Sequence, residues 1–158
     1  MHRQKGFSLI ELLIVVAIIL IIAAIAIPNL TRSKMAANEA SAVSSMRNIA
    51  TAQVSYSTTY GGYSDDLVKL GPPPSGQAPT AAHADIIGWI QACSSQPCEK
   101  NGYNFSINNA TGTPINAYTV NGVPTVLGSS GQRGFCTDQT HILTFDPAGG
   151  TACSSPIQ

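Results

Sequence analysis

The carboxylate of Glu11 stands alone in an apolar run from Phe7 to Ile27, directly behind a short basic leader, Met1-His2-Arg3-Gln4-Lys5-Gly6. An acidic side chain near the centre of a membrane helix costs about 2.5–3.5 kcal/mol on insertion scales, so such a group normally has a partner. Ion pairing is therefore the chemistry open to Glu11. A second reactive set is Cys93, Cys98, Cys136 and Cys153, all in the C-terminal half. An even number of cysteines in a small chain behind an export segment points to disulfides formed outside the cytoplasm. Cys93-Ser-Ser-Gln-Pro-Cys98 lacks the two-residue spacing of a zinc pair, and only His83 and His141 could assist it, so no metal site is expected. Four cysteines allow three connectivities. Proximity favours Cys93–Cys98 and Cys136–Cys153, the second closing a loop worth about 3 kcal/mol.

No nucleophile, base and acid come together along the chain. No serine lies in a Gly-x-Ser-x-Gly elbow and the three histidines are scattered, so neither an enzyme nor a cofactor is expected. Asp65-Asp66 is the one adjacent carboxylate pair, and it reads as acid near a helix start, with a cation site as the lesser alternative. Asn29, Asn104 and Asn109 open glycosylation sequons, a weak signal. Eight basic residues balance eight acidic ones across 158 residues, and losing Arg3 and Lys5 with the leader leaves six against eight. No clustered basic face exists, so no nucleic-acid partner is indicated. Charged residues make up only 10% of the chain, which suits a subunit packed against many neighbours.

The elements that position these groups follow from the pattern. Phe7 to Ile27 is 21 residues, about 30 Å as a helix, enough for one hydrocarbon core. Beyond it the pattern becomes amphipathic: Val43, Met46, Ile49, Ala50 and Val54 recur at three- and four-residue steps, predicting helix to about residue 60 and a face for a sheet. Gly61-Gly62 stops it, with Tyr56, Tyr60 and Tyr63 packing at the junction. Gly71-Pro72-Pro73-Pro74 is a stiff connector, and residues 81–93 carry helical character around Trp89, a core anchor. Strand signals then appear at 103–107, 117–120, 124–127, 133–136 and 141–145, the second and third broken by Asn121-Gly122. An antiparallel sheet of about four strands on the second half of the helix makes the fold α+β.

For the N-terminal segment a secretory signal peptide is one reading, since Ala24-Ile25-Ala26 fits the small-x-small cleavage pattern. Glu11 and the length of the apolar run speak against it. A plain anchor with Arg3 and Lys5 held inside is another. A third reading accounts for every oddity. The run Lys5-Gly6-Phe7-Ser8-Leu9-Ile10-Glu11-Leu12-Leu13-Ile14-Val15-Val16-Ala17-Ile18, followed by Ile27-Pro28-Asn29, resembles the prepilin N-terminus of the type IV pilin and type II secretion pseudopilin family.

That resemblance, strong over residues 5–28 and architectural beyond 64, implies a structural subunit most like a type IVa major pilin. It implies cleavage after Gly6 by a prepilin peptidase, N-methylation of Phe7, and residence in the inner membrane before extraction by an assembly machinery into an extracellular filament. Partners are then the lipid bilayer before assembly, sister helices after it, the peptidase and the machinery. Adhesion and twitching motility are what the family does with such filaments. A type II secretion pseudopilin or a minor pilin is the near alternative, and an exported binding domain the distant one.

Cleavage would leave a cationic amine on Phe7, four residues before Glu11, so Glu11 of one subunit is expected to pair with the Phe7 amine of its neighbour and set axial register; pairing within one subunit competes. Pro28 lacks an N–H and crowds the carbonyl of Ala24, predicting a kink. The expected organisation is a leader at 1–6, a membrane and filament-core helix at 7–27, an amphipathic helix at 28–60, a connector with a short helix at 61–101, and sheet with a C-terminal disulfide loop at 102–158.

Overall fold

The computed structural model describes residues 7–157. The chain divides into two compact units, Met1–Lys34 and Met35–Gln158. One helix, α1 (Leu9–Tyr60), contributes to both. In the first unit its large apolar side chains are all exposed, from Leu9 to Leu30. This stretch is long and apolar enough to cross a membrane, with a mean hydropathy of 3.3 over its best window. Among the described residues of the unit nothing covers it. The helix runs through Pro28 without a break. Proline removes the N–H that the Ala24 carbonyl would otherwise receive. One turn on, the hydroxyl of Thr31 donates to the carbonyl of Ile27 at 3.2 Å.

In the second unit α1 acquires a buried face. Ala42, Met46, Ile49, Ala52 and Tyr56, at three- and four-residue steps, carry the helix side of the core. No glycine interrupts the helix before Gly61, which takes the left-handed conformation (φ 81°) and donates its N–H to the carbonyl of Ser57 at 2.9 Å. That geometry closes a helix end without the Cβ clash another residue would suffer. Val54 departs from the expected stripe: it is 39% exposed, whereas Gln53 is buried in its place. The Gln53 amide is satisfied there, donating to the carbonyl of Ser64 at 2.9 Å and accepting from its N–H at 2.8 Å. Helix and connector are pinned together at that point.

The sheet has six strands rather than about four: β1 (Cys98–Lys100), β2 (Tyr103–Thr111), β3 (Ala117–Pro124), β4 (Gly134–Asp138), β5 (Thr144–Asp146) and β6 (Ser155–Pro156). They lie in sequential order and every neighbouring pair is antiparallel. Alternation puts Tyr103, Phe105 and Ile107 of β2, Tyr118 and Val120 of β3 and Phe135 of β4 on the inner face, in one cluster with Met46 and Ile49. The expected plan of a long helix on an antiparallel sheet is the plan observed.

Several boundaries differ from the sequence expectation. β3 runs straight through Asn121-Gly122, and residues 125–127 are not strand. Gly122 pairs with Phe105 on one side and Phe135 on the other, and a Cβ there would meet the Phe105 ring at 3.0 Å. The glycine makes room for an aromatic ring instead of making a turn. β1 lies in what reads as connector, and β6 in what reads as tail. Residues 81–93 hold only a 3-10 turn at Gly88–Ala92, since Gly88 and the left-handed Asp85 (φ 55°) interrupt the helical pattern.

A polar clasp joins the start of this helix face to the loop between β3 and β4 and to the turn between β1 and β2. Asn38 donates to the carbonyl of Ser130 at 2.8 Å, and Asn101 donates to the hydroxyl of Ser41 at 2.7 Å. Between them, Glu39 accepts the N–H groups of Gln132 and Arg133 on one carboxylate oxygen and the Arg133 guanidinium on the other.

Candidate functional site

The candidate site is the exposed N-terminal turn of α1. Phe7 lies just before the helix and is 85% exposed; Gly6 lies outside the described residues. Ser8 stands at the N-cap, its carbonyl accepting the N–H of Leu12 at 3.2 Å. Its own N–H donates to Oε2 of Glu11 at 2.9 Å. This is the acidic half of a capping box: the carboxylate three residues into the helix satisfies the amide of the N-cap residue and faces the positive end of the helix dipole. Glu11 therefore has a partner within its own chain, one neither Phe7 nor ion pairing supplies. Serine followed three residues later by glutamate is the sequence signal for it. The side chain remains exposed, so Oε1 can still meet a second donor.

The cysteines form two disulfides, Cys93–Cys98 and Cys136–Cys153, with Cα separations of 5.5 and 6.0 Å. The first closes the turn leading into β1. The second ties the C-terminal segment to β4. There the segment passes so close that a Cβ at Gly134 would collide with the backbone carbonyl of Gly150. Asp146 holds this crossing from below, accepting the N–H groups of Ala148 at 2.9 Å and Ala152 at 3.2 Å.

The carboxylates of Asp65 and Asp66 have separate local duties. Asp65 pairs with Lys69 at 2.6 Å. That hydrogen bond holds the Asp65 carboxyl below the usual carboxylate range and raises the Lys69 ammonium. Asp66 caps the 3-10 turn Leu67–Leu70 by accepting the N–H of Val68 at 2.9 Å. Among the described residues no group of three or more His, Cys, Asp or Glu side chains converges as metal ligands would. Trp89 packs edge-on against Phe105 (5.6 Å between centroids), with the Lys100 ammonium 4.7 Å above its ring. At the helix end the tilted rings of Tyr56 and Tyr60 meet at 4.7 Å between centroids, while Tyr63 meets Tyr118 edge-on at 4.8 Å. These aromatics are structural contacts, and burial raises the phenols of Tyr56 and Tyr118.

The first unit thus presents an uncovered apolar helix surface behind a capped turn, and the second a helix face backed by a sheet. Residues 1–27 match the family described as the prokaryotic N-terminal methylation motif. The chain is 30% identical, over 98% of its length, to a protein of Myxococcus xanthus named type IV major pilin protein PilA, of which the match spans 64%. It is 39% identical over 45% of its length to a Thermus thermophilus protein named type IV wide pilus major component PilA4, of which the match spans 56%. The chain thus spans less than two thirds of the length of either curated relative. No solved structure gives a significant match.

Proposed function

We propose that this chain is a prepilin: cut after Gly6, N-methylated at Phe7 and polymerised with copies of itself into a type IV pilus. The observation that carries the reading is the uncovered apolar stretch Leu9–Leu30 immediately behind Gly6-Phe7, with Glu11 near its start. Lipid covers that stretch in the inner-membrane precursor, and sister helices cover it in the filament outside the cell. A prepilin peptidase and an inner-membrane assembly machinery are the partners this life history requires. Adhesion and twitching motility are the roles that filaments of this kind serve.

Glu11 acts in two ways within this proposal. Its Oε2 caps the helix at Ser8, and its charge meets the methylated Phe7 amine of a neighbouring copy, fixing the axial step as subunits add. A carboxylate in an apolar bundle is costly when unpaired, so a copy seated out of register is penalised. Pro28 removes one hydrogen bond from the helix ladder and marks where α1 bends most easily.

N-terminal sequencing with mass spectrometry of the chain recovered from sheared filaments tests the proposal. N-methyl-Phe7 at the terminus is expected. Ile27 at the terminus, the product of signal-peptide cleavage after Ala26, would overturn it.

A further inference from the structure

The apolar stretch Leu9–Leu30 ends abruptly, and Thr31-Arg32-Ser33-Lys34 follows it within the same unit. All four residues are exposed. The Thr31 hydroxyl has the Ile27 carbonyl as its partner, but among the described residues no carboxylate lies within ion-pair distance of Arg32 or Lys34. Glu39, the next carboxylate along α1, uses both oxygens on Gln132 and Arg133. Two cations without a partner thus stand at the end of an uncovered apolar helix.

Their height along the helix matches a lipid headgroup layer. Leu9–Leu30 rises about 33 Å, or about 31 Å across a bilayer at a tilt of about 20°, against a hydrocarbon core of about 30 Å. Arg32 and Lys34 lie about 3 and 6 Å beyond Leu30, inside a headgroup layer about 5–8 Å deep. Long cationic side chains at that level reach phosphate oxygens while their methylene stems stay against the acyl chains. Residues two positions apart on a helix lie about 200° apart around its axis, so Arg32 and Lys34 leave it on opposite sides. A protein docked on one face would meet one of them, whereas lipid surrounds the helix and meets both. The chain beyond Lys34 carries two disulfides, which form outside the cytoplasm, so this end of the stretch belongs in the outward leaflet.

We infer that Arg32 and Lys34 bind the phosphates of anionic phospholipids in the outward leaflet and hold that end of the apolar stretch in the membrane. The inference rests on the reading of the chain as a membrane-resident precursor. Cleavage after Gly6 would remove Arg3 and Lys5 from the inner end, so in the cut chain Arg32 and Lys34 become the main cationic hold on lipid. Entry into a filament then requires release of lipid phosphates at Arg32 and Lys34 as well as of lipid chains along Leu9–Leu30.

Fluorescence quenching in the full-length chain tests it. A bimane probe on S33C, between the two cations, reports the lipid beside them in vesicles that mix phosphatidylglycerol with phosphatidylcholine, one of the two brominated as quencher. Phosphatidylglycerol should be favoured at the probe by about five-fold, the effect of one basic side chain at an anionic surface. R32Q together with K34Q should abolish that preference, whereas R32K together with K34R should keep it. No preference with Arg32 and Lys34 in place, or the same preference after R32Q and K34Q, overturns the inference. If inorganic phosphate abolishes the preference and sodium chloride of equal ionic strength does not, the pair is a site for free anions and the inference is overturned as well. A separate probe on L20C keeps the two readings apart. Quenching there without a preference at S33C overturns the headgroup contact alone, and no quenching there by either lipid overturns the membrane reading with it.

Discussion

Glu39 and Arg133, ninety-four residues apart, meet in a forked ion pair: Oε2 of Glu39 lies 2.9 Å from Nε and 2.7 Å from Nη2. The other oxygen of the same carboxylate accepts the N–H groups of Gln132 and Arg133 at 2.9 and 3.2 Å. One side chain on α1 thus collects four donors from the segment that leads into β4. The carboxylate is largely covered (13% exposed) while the guanidinium is half open.

Glu39→Ala should destabilise the head by about 1–3 kcal/mol, the range expected for losing charge-assisted hydrogen bonds at a partly covered site. Arg133→Ala should cost less, because the backbone donors remain and Arg133 is exposed. Chemical denaturation of the full chain in detergent, followed by far-ultraviolet circular dichroism, measures both. Equal losses in the two variants would contradict the assignment of most of the energy to the backbone donors.

Acid should weaken the same joint. Burial alone would raise the Glu39 carboxyl, but hydrogen bonds from Gln132 and Arg133 and the guanidinium charge outweigh it and hold the group below its ordinary value. A folded-state pKa below the unfolded value of about 4.3 adds stability above that pH. The contribution is lost as the pH falls through the folded-state pKa. The unfolding midpoint should therefore drop below about pH 4 in the wild-type chain. In Glu39→Gln the drop over that window should be shallower, which thermal scans between pH 3 and 6 would reveal.

The cap that Glu11 makes and the register role proposed for it separate by substitution. Glutamine at this position still accepts the Ser8 amide, as the capping box permits, but carries no charge. If register depends on charge, Glu11→Gln should assemble as poorly as Glu11→Ala. Wild-type filament numbers from Glu11→Gln, counted by electron microscopy, would mean that the cap alone suffices.

Loop length ranks the disulfides. Cys136–Cys153 spans 17 residues and Cys93–Cys98 only 5. Replacing each pair by serines should cost about 3 and about 2 kcal/mol respectively, on the chain-entropy relation. Gly134→Ala should disturb the same C-terminal crossing without touching a sulfur. Both the strand and the Gly150 carbonyl it would meet are backbone, so neither can rotate away. A loss of about 1–3 kcal/mol is expected by denaturant titration.

Much of the fold was legible in the sequence because α1 is written in two long, unambiguous registers. Uniform apolarity marks Phe7 to Ile27, and three- and four-residue spacing marks Met46, Ile49 and Ala50. The sheet was harder to read. β5 and β6 have three and two residues, too few for alternation to show, and Gly122 looks like a turn until its contact with Phe105 is known. In the site, Glu11 was conspicuous as the lone charge, although its bond to Ser8 was hidden in plain spacing. Glu39 carried no local signal at all: its partners lie more than ninety residues away, where periodicity has no reach.

The strand order has a consequence for how crowded copies behave. A sequential sheet has two free margins, here β1 and β6. β1 is three residues long and bears Glu99 and Lys100, while β6 is two residues long and ends on Pro156, which has no N–H to offer. Copies held at very high local concentration are thereby denied the backbone template for edge-to-edge, amyloid-like stacking. If copies assemble as proposed, growth would be left to helices and loops and not to shared strands.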